Sequence, residues 1–330
     1  MKSIVYIVLY FGKFPDLFPV WLHSCSNNPS IDWLVFTDDR REFNYPANVH
    51  VHYMSFEDLR GMVQSKLNCR LYLERAYKLC DYRVAYGDVF SEYVKDYDFW
   101  GFCDIDLVWG NIRHFLTEEV LNRFDKIGFQ GHSTLIRNTE YYNKLYRHGL
   151  KDGTSFESLI QSPDSEFADE AYFNRLFAEL RIDSYQEFTF ANLSPFVYNF
   201  RLNYLPEKWN ERNKYFIFEY HQGTLNRVAL VGSDLVRDEY MYIHFLKREM
   251  EVCIDANENS YLIIPNRLVP MQELTVQKVK EYNKPHYVRF FITHFKENAY
   301  KLNYKTLFPI FLRKIRGYYR LFFHVNQIRY

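Results

Sequence analysis

Tyr97-Asp98-Phe99-Trp100-Gly101-Phe102-Cys103-Asp104-Ile105-Asp106-Leu107-Val108-Trp109-Gly110 is an apolar run that stops at two carboxylates. The stretch 99–103, aromatic and bounded by polar residues, predicts a buried strand. In an extended chain residues i and i+2 point to the same side, so Asp104 and Asp106 emerge together, about 6–7 Å apart at roughly 3.3 Å per residue. That spacing lets one carboxylate bind a divalent cation while the other takes the metal's water or a ligand hydroxyl. Mg²⁺ and Mn²⁺ favour oxygen ligands and often sit between carboxylates and a substrate diphosphate. A second Asp-x-Asp, Asp96 and Asp98, precedes the apolar run instead of following it. Ligands of open α/β sheets bind beyond the carboxyl ends of the strands. The site is therefore expected at Asp104 and Asp106, and Asp96 and Asp98 read as a solvated turn.

The flanking sequence alternates strands and helices. Residues 4–9 predict a first strand, followed by a loop over 10–13 and a helix over 14–24 with Pro15 near its start. Residues 31–36 and 49–53 predict further strands, and Ser55 with Glu57 and Asp58 predicts a capped helix start. This alternation predicts a doubly wound α/β domain. Three strand ends then share one rim: Tyr10 to Lys13, Thr37 to Asp39, and Asp104 to Asp106. Beyond Gly110 the spacing predicts a short helix after Thr117 and a strand from Lys126 that continues to Asn138. A helix capped by Thr139 runs to His148 and is closed by Gly149. Residues 151–168 read as a mobile polar loop, and a helix is expected from Phe167-Ala168-Asp169-Glu170-Ala171 to Leu180. Strands and turns fill 185–235, a strand covers 240–245 before Lys247-Arg248, and 260–264 forms a hairpin element.

The 330 residues are 48% hydrophobic and 25% charged, a globular composition large enough for one α/β domain or two smaller ones. Forty-one basic residues balance 41 acidic ones, which argues against a general nucleic-acid binder. The five cysteines (Cys25, Cys69, Cys80, Cys103, Cys253) are scattered without Cys-x-x-Cys and read as reduced thiols of a cytosolic protein. The N-terminus reads as a strand and not a signal peptide, and no run of about 20 apolar residues predicts a membrane-spanning helix.

The stretch 284–330 differs from the rest. Its basic residues include Arg313, Lys314, Arg316 and Arg320, its only acid is Glu297, and Phe308, Phe311, Tyr318, Phe322 and Phe323 are interleaved. Such a tail reads as an interfacial segment on anionic lipid, at the inner face of the plasma membrane, or as a helix docked on the core with a solvated basic face.

Three blocks carry a resemblance: Tyr77-Lys78-Leu79-Cys80-Asp81-Tyr82-Arg83-Val84-Ala85-Tyr86-Gly87, Trp100-Gly101-Phe102-Cys103-Asp104-Ile105-Asp106, and Tyr242-Ile243-His244-Phe245-Leu246-Lys247-Arg248. Together they resemble a family of bacterial surface-polysaccharide glycosyltransferases with a GT-A-type fold, over roughly residues 1–250. The resemblance implies a GT-A-like mixed sheet flanked by helices, with a catalytic domain over 1–283. Residues 1–110 are its nucleotide-binding half and 111–283 its acceptor half, and 284–330 forms the basic amphipathic tail. It implies a nucleotide-sugar donor, a saccharide or lipid-linked acceptor, and Mn²⁺ or Mg²⁺ held by Asp104, Asp106 and His244. Asp104 would also face the donor ribose, Lys247 would touch the diphosphate, and Tyr10, Phe11 and Asp38 would hold the base and ribose. Lys78, Asp81 and Arg83 belong to the donor side or form a structural ion pair near it. Asp169 and Glu170 are the acceptor-side acids, with one of them the general base if the enzyme inverts; the His244-x-x-Lys247 spacing leans by analogy to a retaining hexosyltransferase. His132 and Arg137 are candidates for the acceptor cleft, and His221 for a closing loop. Two other readings stand beside this one. The first is a nucleotidyl- or phosphotransferase with the same carboxylate–metal site, although no Gly-x-x-x-x-Gly-Lys-Ser/Thr is present. The second is a carbohydrate-binding protein without catalysis.

Overall fold

In the computed structural model, which describes residues 1–284 apart from 196, 204, 206–209 and 211–213, the early apolar runs become neighbouring strands. Ile4–Tyr10 (β1) pairs in parallel with Ile31–Thr37 (β2), and β2 pairs in parallel with Val49–Tyr53 (β3). The third strand keeps the bounds the sequence predicts. Phe99–Cys103 (β4) lies parallel on the other side of β1, so the predicted rim forms at aligned carboxyl ends. After Leu107–Trp109 (β5) come Lys126–Gln130 (β6), Ser133–Arg137 (β7) and Ser184–Tyr185 (β8). They complete a seven-stranded sheet of order β3-β2-β1-β4-β7-β6-β8.

Side chains alternate along β1 and divide between two cores. Val5 and Ile7 pack with Leu59, Val63 and Leu67 of helix Phe56–Leu67 and with Phe173 and Leu176 of helix Ala171–Glu179. Ile4, Tyr6 and Val8 pack with Phe18, Trp21 and Cys25 of helix Phe18–Ser26. Both faces are covered by helices, which is why β1, β2 and β4 read as continuous apolar runs. The chain is thus a mixed α/β protein. Helix Phe56–Leu67 starts where expected, with Ser55 and Asp58 closing a capping box. Helix Phe18–Ser26 starts four residues later than predicted, after Pro15, with Pro19 at its second position.

A three-stranded sheet joins β5 antiparallel to Tyr242–His244 (β13), which also runs parallel to Phe190–Asn192 (β9). A six-stranded sheet has the order β12-β11-β10-β15-β16-β14. Its members are Phe216–His221 (β10), Thr224–Val231 (β11), Asp234–Tyr240 (β12), Glu251–Val252 (β14), Ser260–Ile264 (β15) and Arg267–Pro270 (β16). The expected hairpin element at 260–264 is β15, which turns into β16.

Two expectations are corrected. The continuous strand over 126–138 is a hairpin: Gly131 and His132 form the turn, and β7 returns antiparallel to both β6 and β4. The loop 151–168 contains helix Phe156–Gln161, whose Phe156 and Ile160 are buried in the core. β6, β7 and β8 join the same sheet as β1–β4. Met1–Asn283 form one compact unit, while the tail expected over 284–330 lies outside the described residues beyond Lys284. Among the described residues no helix is long and apolar enough to cross a membrane.

Lys126 is a buried cation at the start of β6. Its Nζ donates to Gly128 O (2.6 Å) and Asn174 Oδ1 (2.7 Å), and among the described residues no carboxylate pairs with it. Burial pulls its pKa down to about 7. The unfolded chain binds this proton up to about pH 10.4, so between about pH 7 and 10 the unfolded state holds more protons and stability rises with pH. Below pH 7 both states are protonated and the dependence ends. Lys126→Met is expected to remove a slope of about 1 kcal/mol per pH unit. Urea melts of both proteins at pH 7.5 and 9.5 check this; parallel pH profiles would refute it.

Candidate metal centre

β4 ends at Cys103, and the Asp104 N–H donates to His132 O (3.2 Å), tying the strand end to the β6–β7 turn. β5 pairs with β13 so that Leu107 lies opposite His244. Asp106, one residue earlier, is thereby carried to the histidine, and its own carbonyl accepts the Phe245 N–H (2.9 Å). His244 Nε2 lies 3.2 Å from Asp106 Oδ1 and 3.5 Å from Asp104 Oδ2. One potential ligand atom from each of the three residues falls within 4.8 Å of the others, the only such cluster among the described residues.

The imidazole is prepared from behind. β9 lies beside β13 with Asn192 opposite His244, and His244 Nδ1 is 3.0 Å from Asn192 Oδ1. An amide oxygen only accepts, so Nδ1 carries a hydrogen and Nε2 is the nitrogen that faces the carboxylates, donating to them when protonated and free to coordinate a cation when it is not. His244 is buried, while the Asp104 and Asp106 side chains are 29% and 31% exposed, which leaves coordination positions facing solvent. Two carboxylate oxygens and one imidazole nitrogen fit a divalent cation. The nitrogen moves the preference from Mg²⁺ towards Mn²⁺ and its neighbours. Electrostatics agree with a site built for positive charge. Burial opposes protonation of His244, yet Asp106, Asp104 and Glu170 raise its pKa above the usual value. Partial desolvation works the other way, yet Asp106 is held well below the usual carboxylate range by His244 and the Lys247 N–H.

Arg83 braces the other side. Its guanidinium donates to Asp104 Oδ1 (2.5 Å), Asp169 Oδ2 (3.0 Å) and Gly131 O (2.7 Å). Asp104 is therefore shared between Arg83 and the candidate cation position. Asp169 is buried, and burial outweighs Arg83 in raising its pKa to about 7. Glu170 stands nearer the rim: it accepts the Gly131 N–H (2.8 Å), and its charge reaches His244. A Cβ on Gly131 would sit 2.5 Å from Asp169 Oδ2, so the turn closes on the two acids only with glycine there. His132 is buried in the same turn. Its Nδ1 meets the Tyr242 hydroxyl (2.9 Å), its ring lies 4.4 Å from His244, and burial followed by the His244 charge pushes its pKa well down. His132 Nε2 and Asp169 Oδ1 are buried and make no hydrogen bond among the described residues. Lys247 donates its backbone N–H to Asp106 Oδ2 (3.0 Å), at the edge of the centre.

The first two rim loops stand beside it. Tyr10 stacks on Phe14 at 4.9 Å, and burial together with the Asp106 charge raises its pKa. Phe11 meets Phe56 edge-on at 5.4 Å, and Asp38 accepts the Gly12 N–H (2.7 Å), linking the loops after β1 and β2.

Other expected site residues lie elsewhere. Lys78 and Asp81 are a structural pair, not donor contacts. Both side chains are fully buried 2.7 Å apart, and they bind the backbone of residues 159–168. Arg137 is not in the acceptor cleft. The hairpin reversal pairs it with Phe99, at the far end of β4, about 13 Å of strand from the rim. There it holds Asp125 and the carbonyls of Leu121, Asn122 and Phe124. His221 lies at the end of β10 in the six-stranded sheet, bonded to Ser260 Oγ (2.7 Å). Asp98 is no solvated turn: it accepts from the Ser3 N–H and Oγ and from Lys2, stapling the chain start to β4. Sequence reasoning missed Asn192, Gly131 and Tyr77. Only strand pairing reveals Asn192, whereas Tyr77 stands inside a block already singled out.

Residues 6–272 match the model of a family of unknown function (DUF6625), which spans nearly all of the described fold. The chain belongs to that family. No curated protein matches it.

Proposed function

We propose that this family member is a metal-dependent glycosyltransferase of GT-A type, moving a sugar from a nucleotide-sugar to a saccharide or lipid-linked acceptor in surface-polysaccharide synthesis. The observation that carries this reading is the meeting of Asp104, Asp106 and His244 at the carboxyl end of β4, with Lys247 bonded to Asp106. Breaking the sugar–phosphate bond leaves a diphosphate whose growing negative charge must be balanced. A divalent cation held by Asp104, Asp106 and His244 would supply most of that balance. Lys247 adds a positive charge from the protein. Arg83 fixes the Asp104 rotamer through Oδ1 and leaves Oδ2 facing the centre. The rim formed by Tyr10, Phe11 and Asp38 is the place for base and ribose. Glu170, with its side chain on the rim, is better placed than buried Asp169 to meet an acceptor hydroxyl. The 284–330 tail, basic and aromatic, is assigned peripheral contact with the inner membrane face, where a lipid-linked acceptor would lie.

The test is thermal shift with a panel of nucleotides and nucleotide-sugars, with and without Mn²⁺. The expected result is an Mn²⁺-dependent rise in melting temperature with one nucleotide family and release of free sugar or product from the matching donor. The absence of any metal-dependent shift across the panel would remove the transferase reading.

A further inference from the structure

We infer that Tyr77 is a positioning residue: its ring and hydroxyl hold the ammonium of Lys247, the residue whose backbone N–H is bonded to Asp106, until the diphosphate of an incoming donor takes it over. This rests on the transferase reading above. Lys247 Nζ lies 3.1 Å from the Tyr77 hydroxyl and 4.6 Å from the centre of its ring.

Both ends of this contact are fixed. Leu246 (φ 48°) and Lys247 (φ 63°) stand one after the other in the left-handed region, which disfavours residues with a Cβ. Local bonds hold this strained turn. The Lys247 N–H donates to Asp106 Oδ2 (3.0 Å), and the Arg248 N–H to Phe245 O (2.9 Å). Such strain, kept at a metal-side carboxylate, points to a constraint on where the Lys247 side chain starts. Tyr77 stands on the 3₁₀ turn Ala76–Lys78. Its neighbour Lys78 is fully buried against Asp81 and two carbonyls, so a half-exposed ring projects from an immobile base. Six residues further on, Arg83 leaves the same segment to grip Asp104. One short segment therefore delivers two supports to the centre, Tyr77 to Lys247 and Arg83 to Asp104.

The chemistry of the support matters. A lysine side chain left to itself samples many rotamers and must be ordered when a ligand arrives. A carboxylate in place of Tyr77 would order it but also neutralise it. A phenol orders the ammonium through a neutral acceptor and a π face, and its hold is weak enough to yield to a diphosphate.

Calorimetric titration with UDP, GDP, ADP, CDP and TDP in the presence of Mn²⁺ selects the nucleoside diphosphate for the test. Tyr77→Ala is expected to weaken its binding roughly three- to fivefold, while Tyr77→Phe, which keeps the ring, stays within about twofold. Lys247→Ala should weaken binding about tenfold or more, and adding Tyr77→Ala to it should cost nothing further. With the matching donor, Tyr77→Ala should raise KM and leave kcat nearly unchanged. Melting temperatures of all variants confirm folding. Wild-type affinity in Tyr77→Ala overturns the proposal, as does an equal loss in both backgrounds, which would put Tyr77 on the nucleotide directly. If the wild type binds none of these diphosphates with Mn²⁺, the transferase reading falls and this inference with it.

Discussion

Asp106→Asn is expected to lower Mn²⁺ affinity by at least about 100-fold and sugar transfer by roughly 10³-fold, with the fold intact. Asn is nearly isosteric and its amide oxygen can still accept the Lys247 N–H, so the β5–β13 connection survives. What disappears is the negative charge facing His244 Nε2 at 3.2 Å. The amide nitrogen that replaces Oδ1 cannot coordinate a cation. The metal-free variant should melt close to the wild type, because it also loses the repulsion between Asp104 and Asp106. Calorimetric titration with Mn²⁺ alone, followed by turnover on the donor found by thermal shift, reads both quantities. Unchanged Mn²⁺ affinity would place the metal elsewhere.

Lys78→Met is expected to produce the largest loss of stability of any substitution considered, about 3–5 kcal/mol. The pair is 2.7 Å apart with no exposed side-chain surface on either partner. Methionine fills the volume but leaves the Asp81 charge buried with the Glu166 and Ala168 N–H groups and the weak Cys80 thiol donor as partners, and no cation. The carbonyls of Leu159 and Asp164 lose their donor as well. A fall in melting temperature on the order of 10 °C follows for a domain of this size. Lys78→Met with Asp81→Leu should recover much of it, because removing both charges also removes the desolvation cost. A single variant melting within about 2 °C of the wild type would contradict the structural role of the pair. The damage should also reach the site, since residues 159–168 lead directly into Asp169 and Glu170.

Much of the first half of the chain was legible because its local signals agree. β1, β2 and β4 are largely apolar runs bounded by polar residues, β3 alternates Val49 and Val51 with His50 and His52, and Ser55 caps a helix where its spacing says it should. Asp104 and Asp106 were legible for the same reason: a buried strand that ends in two acids is unusual unless something positive meets them. The turn at Gly131 was hidden because Ser133 to Arg137 is as strand-like as the residues before it, and a reversal leaves no mark when both arms are β-rich. That error alone sent Arg137 to the wrong end of the sheet. Helix Phe156–Gln161 was masked by its polar surroundings, its inward face consisting of little more than Phe156 and Ile160. Asn192 and Tyr77 depend on partners 52 and 170 residues away, a distance no local pattern spans.

The pairing of β5 with β13 also bears on synthesis. Asp104 and Asp106 leave the ribosome well before His244, whose partner across the ladder is Leu107. A nascent chain ending near residue 240 therefore has two close acids and no imidazole, a half-built pocket that repels itself. Contacts this distant in sequence form late and slow the search for the native state. On the proposed metal-dependent reading, cation uptake would wait for the docking of β13, and a chain truncated before that strand would offer the two acids without the imidazole.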